Sequence, residues 1–251
     1  MDFLDHELVL NIAHRGASGA APPNTLAAFE QATELGADGI EFDVHLSADG
    51  VPVVIHDFTV DGSTDGKGRV SNLTLAQLKQ LDAGSTFAPA FSGERIPTLE
   101  EVLHCVGNRL LLNIELKSIS LRDNGLEQEV IAQVMQHGLG DQVLISSFNP
   151  ISLWRAKKIA PHMPVGLLYA PDLPLLLRHA WLAFTFPHEA RHPEHHMVNA
   201  SYMEWARRHG YRVHVWTVDD PGEMERLIDL GVDGIITNVP DVLHNVIESK
   251  R

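Results

Sequence analysis

The chain has 251 residues, 44% apolar and 21% charged, an ordinary globular composition whose length suits one large α/β domain over 1–251. A formal charge of −14 leaves no basic surplus for binding nucleic acid or an anionic membrane, and a small anionic substrate would need a local positive centre. The N-terminus has no secretory pattern, no apolar run is long enough to span a bilayer, and the single Cys105 excludes an internal disulfide and suits a reducing compartment, so the expected location is cytoplasmic.

Residues 8–15 read as a strand, followed by a Gly/Ala/Pro loop. Asn24 caps a helix over 25–35 that Gly36 ends. The next strand opens at Gly39 as GIEFDV. A strand has a side-chain period of two, so Glu41 and Asp43 point to one side. Asp49-Gly50 is a hairpin turn; folding about it sets 46 against 51 and 41 against 56, which brings His56 beside both acids. Ile40, Phe42 and Val44, then Val51, Val53, Val54 and Ile55, bury both faces, and a buried acid pair needs a compensating partner.

Residues 58–96 form the longest departure from a strand–helix alternation and read as a small insertion over the hairpin, with a helix at 75–81. The alternation then resumes. A helix runs from Pro97-Thr98 to 106, a strand over 110–117 and a helix over 126–137. A strand at 143–148 precedes a helix at 151–160, and one at 165–169 precedes a short helix at 173–180. Then come a strand at 181–186 and helix at 201–209, a strand at 212–218 and helix at 221–230, and a strand at 234–237 and helix at 239–248. Eight strand-then-helix units in this length predict an irregular (β/α)8 TIM-type barrel with a β-hairpin and insertion after the second strand. A doubly wound sheet is the alternative, but His14-Arg15-Gly16-Ala17-Ser18-Gly19 lacks the first glycine of a dinucleotide fingerprint.

Catalytic groups of such barrels sit at the C-terminal ends of the strands. The first strand ends in His14 and Arg15, the second carries Glu41 and Asp43, and Asn113, Glu115 and Lys117 share one face of the third. Ser146, Ser147 and Phe148 end the fourth, Trp216 and Thr217 the seventh, Asn238 the eighth. Three acids at roughly 5 Å and an effective dielectric near 20 repel by about 10 kcal/mol in total. The site must protonate, pair with bases, or hold a divalent cation. An all-oxygen ligand set selects Mg2+, Ca2+ or Mn2+ over Zn2+. A salt-bridged core pair is the alternative for Glu115 and Lys117. His14 and His56 together meet the need of phosphodiester cleavage for one base and one acid.

His14-Arg15-Gly16, Pro23-Asn24-Thr25, Glu41-Phe42-Asp43-Val44, His56-Asp57, Asn113-Ile114-Glu115-Leu116-Lys117 and Trp216-Thr217-Val218 together resemble the glycerophosphodiester phosphodiesterase family, in its order and over nearly the whole chain. The resemblance implies a metal-dependent hydrolysis of glycerophosphodiesters to glycerol 3-phosphate and an alcohol. It implies one divalent cation on Glu41, Asp43 and Glu115, acid–base work by His14 and His56, and phosphate contacts from Arg15 and Lys117. The loop motif departs from the family's usual Pro-Glu-Asn-Thr, because Pro23 stands in place of the glutamate.

Trp216 and Phe148 are expected as walls of the substrate pocket, a plain core role being the alternative for each. His188, His192, His195 and His196 fit no standard metal spacing and are expected on a solvated loop. Hydrolysis of lysophospholipids by a lysophospholipase D and a non-catalytic barrel that binds phosphate esters are the rival functions. Both histidines being present weighs against the second. Headgroup, metal and oligomeric state are not legible in the sequence.

Overall fold

The computed structural model describes residues 2–6, 8–118, 122–173 and 186–251. Among them, nine strands join in one sheet: β1 (Leu10–His14), β2 (Gly39–Leu46), β3 (Pro52–Val54), β4 (Leu111–Leu116), β5 (Val143–Ser147), β6 (Val165–Tyr169), β7 (Ala190–Pro193), β8 (Arg212–Val215) and β9 (Gly234–Thr237). The order β1-β9-β8-β7-β6-β5-β4-β2-β3, with β1 also paired to β2, closes the sheet. Only β3 is antiparallel to its neighbour; the other strands form the closed parallel (β/α)8 barrel.

Helices cover the outside, and Phe29, Phe42, Val102, Ile114, Val130 and Ile145 belong to the large core between them and the sheet. Inside the barrel, Leu10, Ile12, Leu111, Leu144 and Ile236 pack on Phe3. The insertion closes its own small core, Val60, Val70, Leu78 and Ile96, against Val53 and Ile55 of the hairpin arm.

The hairpin forms, one residue out of the expected register. Ser47 N–H donates to Val51 O at 3.0 Å and Gly50 takes a φ of 81°, so the turn holds three residues. Val44 therefore pairs with Val54 and Leu46 with Pro52. A left-handed glycine closing a three-residue turn explains the slip. The last β1 pair is His14 with Glu41, and β3 takes the edge of β2 from Val44 onward.

The first helix, Leu26–Glu34, is capped by Thr25, whose Oγ1 accepts from Ala28 N–H. Asn24, expected in that role, is left for other work. Gly16 is required where this helix meets β1: its φ is 80°, and a Cβ there would lie 2.6 Å from the Ala28 carbonyl carbon.

The expected helix over 173–180 and strand over 181–186 lie, apart from Leu173 and Phe186, outside the described residues. The barrel position between β6 and β8 is taken by β7, so the histidine-rich segment is a solvated loop only at its end: His188 and His192 are buried, His195 is half-buried and His196 is exposed. Its His192 is fully buried in the barrel wall, donating or accepting with His214 of β8 at 3.1 Å. Ala-Arg-His-Pro has neither β-branched residues nor alternation, and the pairing with Gly166–Tyr169 makes it a strand.

Candidate active site

Strand register assembles the site. His14 lies opposite Glu41, Asp43 opposite Glu115, and Glu115 opposite Ser146, all at the C-terminal rim. One carboxylate oxygen from each of Glu41, Asp43 and Glu115 lies within 4.8 Å of the others, and all three residues are buried. Lys117 Nζ reaches Glu115 Oε1 at 2.9 Å and Asp43 Oδ1 at 3.3 Å, and Arg15 Nε faces Asp43 Oδ2 at 3.4 Å.

Arg15 and Asn24 hold left-handed backbones, φ 57° and 60°, that cost non-glycine residues about 1 kcal/mol or more. What holds them is the site itself. Arg15 N–H donates to Glu41 O at 2.7 Å, and Asn24 N–H donates to Arg15 O at 2.9 Å. Asn24 Nδ2 then donates to Asp43 Oδ2 at 2.9 Å, while its Oδ1 accepts from Asp43 N–H at 3.3 Å.

Charge in the cluster is unevenly placed. Burial, then Asp43 and Glu115, push Glu41 well above the carboxylate range. Burial and Asp43 push Glu115 up to about 7. Burial would raise Asp43 too, but Lys117 and Arg15 outweigh it and hold it low. Lys117 is depressed by burial and raised further by Glu115 and Asp43. A hard dication would relieve the repulsion, and an all-oxygen donor set of this spacing fits Mg2+, Ca2+ or Mn2+.

His14 is held by a chain absent from the sequence reading. Asp219 accepts only, so Asn238 turns its NH2 to Asp219 Oδ2 at 2.6 Å and its carbonyl to His14 Nδ1 and Ser18 Oγ, 2.7 Å each. His14 Nδ1 therefore carries the hydrogen. Its Nε2 presents a lone pair 4.0 Å from Glu41 Oε2. Burial and the neighbouring Arg15 lower its pKa to about 4, which keeps the ring neutral. His56 sits at the more open edge, its Nδ1 2.7 Å from Asp57 Oδ1, and its pKa too is lowered, by burial first.

A cavity of about 110 Å³ gathers His14, Arg15, Glu41, His56, Glu115, Lys117, Phe148 and Trp216 in its walls. Phe148 and Trp216 meet edge to face with centroids 5.5 Å apart. Every site residue expected from the sequence thus lies around one space, with Asp43 just behind it. Asn24, Asp219 and Ser18 were not expected there. Asn24 was read as a cap because capping and carboxylate binding call for the same side chain.

A closed (β/α)8 barrel with acids, two cations and two histidines at its C-terminal rim is a phosphate-ester enzyme by architecture and site. The family model for the glycerophosphoryl diester phosphodiesterase family matches residues 14–242. The chain belongs to that family, and it is an enzyme of the glycerophosphodiester phosphodiesterase class. It is 45% identical over 240 residues to a glycerophosphodiester phosphodiesterase of Caldanaerobacter subterraneus subsp. tengcongensis, covering 95% of this chain and 97% of the other. It is 36% identical to one from Bacillus subtilis, covering 98% and 88%. Among solved structures, an Oleispira antarctica phosphodiesterase in complex with the product sn-glycerol-3-phosphate superposes with a TM-score of 0.82 at 32% identity, covering 96% of this chain and 97% of that one.

Proposed function

We propose that this enzyme hydrolyses deacylated glycerophosphodiesters to glycerol 3-phosphate and an alcohol, with His14 and His56 sharing the proton transfers. The observation that carries the reading is the single cavity whose walls include both imidazoles, both cations and two of the three clustered acids. Glu41, Asp43 and Glu115 would hold one divalent cation, which when bound offsets the negative charge that builds on the non-bridging phosphate oxygens.

Arg15 and Lys117 bind the phosphate. His14 Nε2 takes the proton of the nucleophile; the Nδ1–H to Asn238 fixes the ring, and the imidazolium that forms faces Glu41. His56, as the imidazolium with Nδ1–H on Asp57 Oδ1, gives its Nε2 proton to the departing alkoxide; the acting form is the minor protonated one that its lowered pKa leaves. Phe148 and Trp216 wall the glycerol arm.

A cavity of about 110 Å³ whose walls include Phe148, Leu168, Trp216 and Ile236 suits glycerol better than an acylated glycerol, which favours diesters over lysophospholipids. Among the described residues, no helix is long and apolar enough to cross a membrane, and the free Cys105 thiol suits the cytoplasm.

The test is alcohol release from glycerophosphocholine, glycerophosphoethanolamine and lysophosphatidylcholine, each with EDTA and with Mg2+, Ca2+ or Mn2+ restored. Turnover of the first two is expected, lost in EDTA and regained with metal. His14→Ala and His56→Ala should each lower kcat by about 100-fold or more. Wild-type rates in either variant, or full activity in EDTA, would overturn the assignment.

A further inference from the structure

Outside the barrel mouth, two helices bring another set of ligand-bearing side chains together. Glu100 and His104 stand one turn apart on the helix Leu99–Val106. His137 caps the end of the helix Leu126–Gln136, which packs beside it. One donor atom from each of the three lies within 4.8 Å of the other two. The imidazole rings meet edge to face, with centroids 4.9 Å apart. Glu100 and His104 are exposed and His137 is half-buried, so the group opens to solvent.

The backbone sets both rings for a ligand. His104 Nδ1 lies 3.1 Å from Glu100 O, and His137 Nδ1 lies 2.9 Å from Gln133 O. A carbonyl oxygen only accepts, so each Nδ1 carries the hydrogen and each Nε2 keeps its lone pair. Because each Nδ1 faces its own helix, Nε2 is the atom that each ring turns outward. Metal-bound imidazoles are held in this way, one nitrogen donating to a carbonyl while the other takes the ion.

We propose that Glu100, His104 and His137 form a site for a divalent transition-metal cation of the Zn2+, Ni2+ and Cu2+ class. Two imidazole nitrogens and one carboxylate select these ions over Mg2+ and Ca2+, the reverse of the all-oxygen cluster in the barrel mouth. Tetrahedral donors at about 2.0–2.1 Å from zinc stand roughly 3.3 Å apart, so the exposed side chains close by no more than about 1.5 Å. Water completes the coordination. The similar group at Glu194, His195 and His196 is already spent on itself. Glu194 Oε1 pairs with both rings, at 3.5 and 2.6 Å, and Glu223 takes His195 Nδ1 at 2.7 Å.

The bound ion ties the helix that leads into β4 to the helix that follows it, and β4 carries Glu115. Its donors are far apart in the unfolded chain, so the ion binds the folded state and stabilises it. The role is structural, and it stands apart from the catalytic reading.

The experiment is a Zn2+ titration of the full chain in excess Mg2+, which occupies the acid cluster, followed by calorimetry and by thermal unfolding. Wild type should take up one Zn2+ per chain that the Mg2+ does not displace. Its Tm should rise by about 5 °C or more once free Zn2+ reaches about 100 times the Kd. His104→Ala and His137→Ala should each weaken Zn2+ binding at least about tenfold and remove most of that rise at the same Zn2+ concentration. Each rise is read against the same protein's Tm without Zn2+, so any effect of the substitution on folding cancels. Equal Zn2+ affinity in wild type and both variants would overturn the site and assign the zinc to the barrel mouth. No Zn2+-dependent rise in wild type, or a bound Zn2+ that Mg2+ displaces, would overturn it as well.

Discussion

Glu41 is charged at a cost, because burial, Asp43 and Glu115 all oppose its ionisation. Neutralising it should therefore separate stability from metal binding. In EDTA, Glu41→Gln is expected to raise Tm by about 2–8 °C, the amount that about 1–2 kcal/mol gives in a domain of this size. Calorimetric affinity for Mg2+ or Ca2+ should fall at least about tenfold in the same variant. A variant less stable than wild type in EDTA, or one that binds metal as well, would count against the ligand role. At this scale the acids were legible: Glu41-x-Asp43 and Asn113-x-Glu115-x-Lys117 declare a shared face by parity alone. Asn24 and Asp219 were not, because each acts on a partner 19 residues away that the fold brings near. Asn24 clamps Asp43 and Asp219 orients His14 through Asn238.

β7 shows how an element can be invisible in its own residues. Its inward histidine needs room, and Gly166 on β6 supplies it: a Cβ at 166 would lie 2.5 Å from His192 Nε2. That nitrogen is already engaged with His214, so the ring cannot easily withdraw. Gly166→Ala should cost about 1–3 kcal/mol by overpacking. Adding His192→Ser should recover most of the loss, a coupling readable from urea midpoints in a double-mutant cycle. Additive effects would show that the two positions do not compete for the same space. The hairpin makes the complementary point. Asp49-Gly50 announced a turn, but whether two or three residues close it was settled by Gly50 in the left-handed region, and the register shifted by one.

Over the whole molecule, buried ionisable groups set opposing slopes of stability with pH. His192 and His214 are held neutral by burial, His214 with a pKa of about 4. An unfolded histidine binds its proton near pH 6.5, so from there down to about 4 the unfolded chain holds more protons. Stability from this pair is full above about 6.5 and falls with pH by about 1.4 kcal/mol per unit per histidine. Glu41 and Glu115 act the other way without metal: their raised pKa values make the fold bind protons that the unfolded chain has released, so their contribution weakens as pH rises from about 4.5 toward 7. The measurement is therefore a difference. Urea midpoints from pH 7.5 to 5 should fall less steeply in His192→Gln than in wild type, both in EDTA. Parallel slopes would mean that His192 is not buried neutral.

The sequence by itself determined the alternation of strands and helices, the barrel that eight such units close, and the residue types at its rim, because periodicity and strand parity are local properties of the chain. Tertiary structure alone decided which strand fills the place beside β8, which histidine nitrogen carries its hydrogen, and how the insertion lies against the hairpin arm. Those depend on register between distant strands and on hydrogen bonds between residues as far apart as His14 and Asn238, and no short window of sequence contains both partners.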